Sequence, residues 1–163
     1  MLKKFSEKQK ISDQFIIRDY NCDDDFPEVE SLWKETGIAG EERGDSPDSI
    51  RRCIQHGGRF LVLVDRQKNR LAGTSWLTFD GRRLHLHHFA IKPMYQNKKL
   101  GKRLGLATLE YIKETGYQVK LEVHKENHIA KKFYKKLGFF AFEDYDIFMI
   151  RNTNKIVVDK SGG

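Results

Sequence analysis

Lys98, Lys99, Lys102 and Arg103 crowd four positive charges into six residues, with Gly101 among them and no acid between Lys92 and Arg103. Such a run suits a phosphate ester or pyrophosphate if the backbone also turns its amides toward the ligand. The flanking residues supply that turn. Residues 84–91 (LHLHHFAI) read as a strand from their aromatic and β-branched content and partial alternation. Pro93, which cannot donate to a ladder, ends it. Leu100, Leu104, Ala107, Leu109 and Ile112 then recur at helical spacing until Gly116. A strand therefore runs through a basic loop into a helix N-terminus, where unpaired amides and the helix dipole favour an anion. Gly101 lets a large ligand approach the backbone. Neither Gly-x4-Gly-Lys-Ser/Thr nor Gly-x-Gly-x-x-Gly is present, so this is not a nucleoside-triphosphate loop or a dinucleotide turn.

The same strand carries His85, His87 and His88. An imidazole with a pKa near 6.5 can accept a proton at neutral pH, which makes His87 a candidate general base; half-exposed strand histidines with no such role are the commoner case. His85 and His87 share a face, but two ligands without a nearby carboxylate or cysteine do not make a metal site.

The elements that must position these residues are readable in order. The 163 residues suit one domain with a single core. Residues 1–13 are expected to be a flexible N-terminal arm, 14–151 the folded domain, and 152–163 a polar tail. Strand 14–20 precedes a helix from Phe26 to near Gly37, with Pro27 in its first turn and Phe26, Val29, Leu32 and Trp33 facing inward. A second helix is expected after its N-cap Ser46, with Ile50, Cys53 and Ile54 inward. Strands 59–65 and 71–79 form a hairpin, and Asp80-Gly81 turns into strand 83–92. Helix 100–115 crosses over to strand 119–123, parallel to the strand before the loop. Helix 128–137 follows, and Phe139–Ile150 is expected to add a last strand or tight hairpin. The order β-α-α-β-β-β-α-β-α-β gives a mixed α/β sheet.

Composition bounds the rest. No run approaches the ~18 apolar residues that span a bilayer, and the first residues lack a signal core. Cys22 and Cys53 are isolated and expected to be free thiols, which together with the missing signal points to the cytoplasm. The net charge of +7 invites a nucleic-acid reading, but residues 23–48 hold ten acids against Lys34 and Arg43. The basic excess sits in the loop and in Lys131, Lys132, Lys135 and Lys136. The chain is a dipole.

Two blocks carry a family resemblance. Gln96-Asn97-Lys98-Lys99-Leu100-Gly101 resembles the Gln/Arg-x-x-Gly-x-Gly/Ala acetyl-CoA loop of the GNAT superfamily of N-acetyltransferases. Lys99 stands where that family usually has its first glycine, a place lysine tolerates if its φ stays negative. Asn127-His128-Ile129-Ala130-Lys131-Lys132-Phe133-Tyr134-Lys135-Lys136-Leu137-Gly138-Phe139 resembles the family's Asn-x-x-Ala-x-x-Phe-Tyr-x-x-x-Gly-Phe segment, with every signature position filled.

The resemblance implies a single-domain fold with a mostly antiparallel sheet, one splayed parallel strand pair and flanking helices. It implies acetyl-CoA as cosubstrate and acetyl transfer to a primary amine, either a cationic small molecule or a protein N-terminus. Phe89, Ala90 and Ile91 would offer backbone to the pantetheine, with the Ile91 N–H as oxyanion donor. Gln96, Asn97, Lys98, Lys99, Leu100, Gly101, Lys102 and Asn127 would hold the cofactor, and Tyr134 would be the general acid. Leu121-Glu122-Val123 resembles the ribosomal-protein N-terminal acetyltransferases, where a glutamate here acts as base; Glu122 and His87 both stand for that role. The acids of Asp23–Asp25 and Glu41–Asp48 would roof the acceptor side and attract a cationic amine. A second reading keeps the fold without turnover, as a CoA-binding or nucleic-acid-associated module. Nucleic acid is disfavoured, since the aromatics fall at core spacings rather than on a basic platform. No membrane partner is expected, and a homodimer is compatible with the sequence.

Overall fold

Phe60-Leu61-Val62-Leu63-Val64 is apolar at every position, so both faces of its strand need cover. The computed structural model, which describes residues 13–39 and 43–157, supplies that cover. Five strands lie in sequence order in one sheet: β1 (Phe15–Asp19), β2 (Arg59–Asp65), β3 (Arg70–Phe79), β4 (Leu84–Ile91) and β5 (Val119–Leu121). The first four are antiparallel neighbours, and β5 runs parallel to β4. Helices α1 (Phe26–Thr36) and α2 (Pro47–Gln55) cover one face, where Val29, Leu32, Trp33 and Ile50 meet Phe60, Val62, Val64 and Trp76. Helix α3 (Leu100–Thr115) covers the other, with Leu100 and Leu104 against Leu61, Leu63 and Ala72. Helix α4 (His128–Lys136) packs beside α3.

Local signals account for the element ends. Ser46 and Ser49 form a reciprocal capping box on α2, and Gly37 closes α1 at φ +73°. Gly105 on α3 matters for the α3–α4 approach, because a Cβ there would meet Leu137 Cδ1 at 2.9 Å and Phe133 Cζ at 3.2 Å. Among the described residues no helix is long and apolar enough to cross a membrane.

One expected element is absent. Residues 139–150 form no strand, and Phe140, Phe142, Ile147, Phe148 and Ile150 stay exposed. A strand exists only where a neighbouring edge offers backbone partners, and the β4–β5 ladder is three residues long. Residues 1–12, Glu41 and Glu42 of the acidic loop, and residues 158–163 of the tail lie outside the described residues.

Candidate active site

The site is organised by one extra residue in β4. Thr74 pairs with Ala90 and Trp76 with His87, so Ser75 alone on β3 stands opposite both His88 and Phe89 on β4. His88 absorbs the difference at φ +38°, a bulge in the strand. Because side chains and peptide groups alternate along a strand, the insertion reverses the phase of everything beyond it. Before the bulge the Leu84 N–H donates to Gln118 O at 2.8 Å, toward β5, and Leu84 and Leu86 pack with Ile112 of α3. After it the Lys92 N–H donates to Ala72 O at 2.9 Å, toward β3. The odd residues Phe89 and Ile91 therefore turn their peptide groups to the β5 side. There β5 has already left: its pairing stops at Leu86–Leu121. The Ile91 carbonyl takes Gln96 Nε2 at 2.9 Å, and its N–H faces the opening.

The basic loop lies at the end of this opening. Tyr95 anchors it from beneath, donating to the buried Asp65 carboxylate at 2.9 Å; burial and that carboxylate push the phenol up to about 12. Gln96, Asn97, Lys98, Lys99 and Lys102 are exposed, and Lys98 hangs 5.7 Å over the Tyr95 ring. Leu100 is buried in the core, so only its backbone can meet a ligand. Lys99, the N-cap of α3, gives no side-chain cap, which leaves the first-turn amides without that partner.

Lys99 does not keep a negative φ. Both Lys99 and Asn97 sit at φ +61°, a left-handed conformation that costs a lysine more than the glycine usual in this family. Left-handed residues separated by one position also make a concave row of amides, so the loop retains an anion-cradling shape. Gly101, by contrast, is helical, and a Cβ there would find only ordinary contacts, 3.6 Å to Ile91 and 3.9 Å to Phe133. Its value is the space it leaves free. Uncapped amides, left-handed turns and unpaired lysines fit the diphosphate of acetyl-CoA.

Across the opening, Asn127 caps α4 by accepting from the Ala130 N–H at 3.0 Å. Tyr134 is mostly buried against Phe89 (ring centroids 6.1 Å), Phe133 (5.3 Å) and Phe139 (5.7 Å). Burial pushes its phenol up to about 12, so it is fully protonated at neutral pH.

The family description "Acetyltransferase (GNAT) family" matches residues 26–139, most of the chain. The chain belongs to this family. Over 127 residues it is 30% identical to the spermidine N(1)-acetyltransferase of Thermoplasma acidophilum, covering 70% of this chain and 77% of that one. It is 33% identical over 94 residues to the mycothiol acetyltransferase of Thermobifida fusca, covering 52% of this chain. It spans only 29% of that relative's length. Among solved structures, the PaiA N-acetyltransferase of T. acidophilum in complex with coenzyme A superposes with a TM-score of 0.66 at 25% identity, covering 81% of this chain and 92% of that one.

Within this GNAT frame the two candidate bases differ. Glu122 lies just past the end of β5 with its side chain 45% exposed, 3.8 Å from His85 Nε2. His87 shares a 2.9 Å hydrogen bond with Thr78 Oγ1, and its ring stacks on His85 at 3.9 Å. Burial, then the neighbouring His85 and His88, push His87 down to about 4; burial and Lys120 do the same to His85. Both rings are neutral at pH 7. No cluster of metal-binding side chains occurs among the described residues.

Sequence reasoning missed the groups behind the bulge. His88 points to the α1–α2 face, 4.2 Å from the Trp33 ring and 5.5 Å from Trp76, with Nε2 2.8 Å from Asp45 Oδ2. Asp45, expected to roof the acceptor side as a free charge, is turned inward with its side chain 12% exposed. The signal was present in LHLHHFAI: apolar residues fall on even positions through Leu86 and on odd positions from Phe89.

Proposed function

We propose that this chain transfers the acetyl group of acetyl-CoA to a primary amine, with a cationic polyamine-like molecule as the acceptor class. The observation that carries the proposal is the phase reversal in β4. It leaves the Ile91 N–H facing an opening bounded by the basic loop on one side and Tyr134 on the other. The acceptor class is supported by the spermidine N(1)-acetyltransferase relative, which covers most of this chain.

Acetyl-CoA supplies an activated thioester when bound. The chain must hold it, polarise its carbonyl, remove a proton from the amine and return one to the sulfur. The amides at the start of α3, with Lys98, Lys99 and Lys102, hold the diphosphate, and Asn127 offers its amide N–H group to the pantetheine. Phe89 and Ile91 present backbone, and the Ile91 N–H donates where negative charge develops. Glu122 takes the amine proton. His87 is the weaker candidate, since its ring is half-buried and its Nε2 is engaged with Thr78 Oγ1, whereas the Glu122 carboxylate is exposed.

Tyr134 supplies the proton to the sulfur. A phenol near 12 facing a thiol reference near 8.5 makes full transfer uphill by roughly 5 kcal/mol, so its role begins as a hydrogen bond that stabilises the departing sulfur. The experiment is a thiol-release assay with acetyl-CoA over polyamines, amino acids, aminoglycosides and peptide N-termini. Turnover is expected for a polyamine; a panel without amine-dependent release overturns the proposal.

A further inference from the structure

Among the described residues, Asp45 Oδ2 and both ring nitrogens of His88 are buried without an aligned hydrogen bond, although Oδ2 and Nε2 approach to 2.8 Å. Buried polar atoms left in this condition cost stability and call for a reason. His88 also holds a left-handed φ of +38°, which a non-glycine residue adopts only when its surroundings impose it. Four residues surround it here. The Thr74 hydroxyl donates to the His88 carbonyl at 2.8 Å, and the Trp33 indole N–H donates to that same hydroxyl at 3.1 Å. The imidazole packs against both Trp33 and Trp76, with Asp45 at its tip. The pair thus ties the segment before α2 to the single residue that sets the phase of β4.

We infer that Asp45 and His88, with Thr74, are positioning residues that pin the β4 bulge and so select which backbone amides face the cofactor opening. Flattening the bulge into regular strand would keep the even residues facing β5, so that Ala90, not Ile91, would turn toward the opening and Phe89 would leave its contact with Tyr134. Relaxing the pin need not break the sheet, because the β2–β3 ladder is held by backbone pairing from Arg59–Leu77 to Asp65–Arg70. The inference rests on the proposed acetyl transfer for its kinetic consequence, but its structural consequence stands apart.

The test compares Asp45→Asn, Thr74→Val, their double variant and His88→Gly with the wild type. Each single variant is expected to lower kcat about 10-fold or more, the scale of a misplaced reacting group. Acetyl-CoA affinity by calorimetry should stay within about 3-fold, since the basic loop is untouched. The double variant should be no slower than the slower single, because both remove one device. Amide hydrogen exchange at Ala90 and Lys92, the residues beyond the bulge whose N–H groups face β3, should quicken in all of them while β2 and β3 keep their protection. Unchanged exchange at Ala90 and Lys92 overturns the inference, as does exchange that rises evenly over the sheet. His88→Gly, which accepts positive φ without cost, separates the pair from the backbone: full wild-type kcat there means the pair does not pin the bulge. If the wild type itself turns over no amine, the proposed function fails and the exchange pattern alone decides the pin.

Discussion

Residues 23–48 and residues 92–136 carry opposite charge, and the fold uses the two differently. Several of the described acids are absorbed by the structure. Asp25 takes both Arg18 guanidinium nitrogens, at 2.6 and 2.8 Å, and the Asn21 N–H, which together hold its carboxyl below the usual range despite burial. Glu28 accepts from the Leu71 N–H at 2.8 Å, Glu30 pairs with Lys34, and Asp45 meets His88. The lysines of the loop and of α4 are exposed and, among the described residues, form no ion pair. A charge count reads both stretches alike, but the basic one keeps more of its charge unpaired among the described residues.

The largest effect should come from filling the free side of that comparison. Gly101→Val is expected to abolish measurable acetyl-CoA binding by calorimetry with little change in Tm, because a Cβ at 101 meets the protein only at ordinary contact distances while the side chain fills the space left for the ligand. A large drop in Tm would mean instead that Gly101 serves packing. Tyr134→Phe should lower kcat about 100-fold, the scale of one general acid, with acetyl-CoA affinity nearly unchanged. Equal losses in binding and turnover would make Tyr134 a packing residue.

Stability should show the opposite ranking of the two regions. Asp25→Ala leaves Arg18 and the Asn21 amide without their acceptor and is expected to cost roughly 2 kcal/mol in urea unfolding. Lys131→Ala or Lys135→Ala, on exposed positions of α4, should stay within about 0.5 kcal/mol.

Legibility in the sequence followed the same division between local and distant causes. Pro93, Gly116, Ser46 and Asn127 act on their own neighbours, so the ends of β4, α3, α2 and α4 were readable. The loop and the Phe133-Tyr134 block were readable because each is contiguous. The His88 bulge depends on Thr74, Trp33 and Asp45, none of them near it in sequence, and only the parity change in LHLHHFAI betrays it. Lysine is at ease at position 99 only with a negative φ; the turn into α3 overrides that preference. Residues 139–150 have the composition of a strand, but composition cannot supply an edge to pair with.

Acid should expose the buried histidines before the carboxylates. His85 and His87 titrate near 4 when folded and near 6.5 when unfolded. Above pH 6.5 neither state is protonated and no difference arises. As pH falls from 6.5 to 4, the unfolded chain takes protons that the folded chain refuses, so stability declines across that window. Asp25 and Asp65, held below the usual carboxylate range, lose their contribution only at still lower pH. Urea unfolding between pH 7 and 4 should therefore weaken, and a His85→Gln, His87→Gln double variant should flatten that limb. An unchanged slope would place the decline elsewhere.

The smallest effect concerns steering of the amine, and here the comparison of the two regions changes the expectation. Ten acids against two bases would give a strong negative potential if all of them faced solvent. Asp25, Glu28 and Asp45 do not, and Lys34, Arg51 and Lys92 each sit beside one or more of the remainder. Asp23 and Asp48 remain well exposed, both near Arg51. Partly compensated surface charges of this kind are screened over about 10 Å at 0.1 M salt. For a polycationic amine, kcat/KM should thus fall only a few-fold between low and physiological salt. Asp23→Asn with Asp48→Asn should raise the amine KM about two-fold and leave acetyl-CoA affinity alone. A salt response of a hundred-fold would show that the acids retain their field after all, and no response at all would move recognition of the amine to contacts inside the opening.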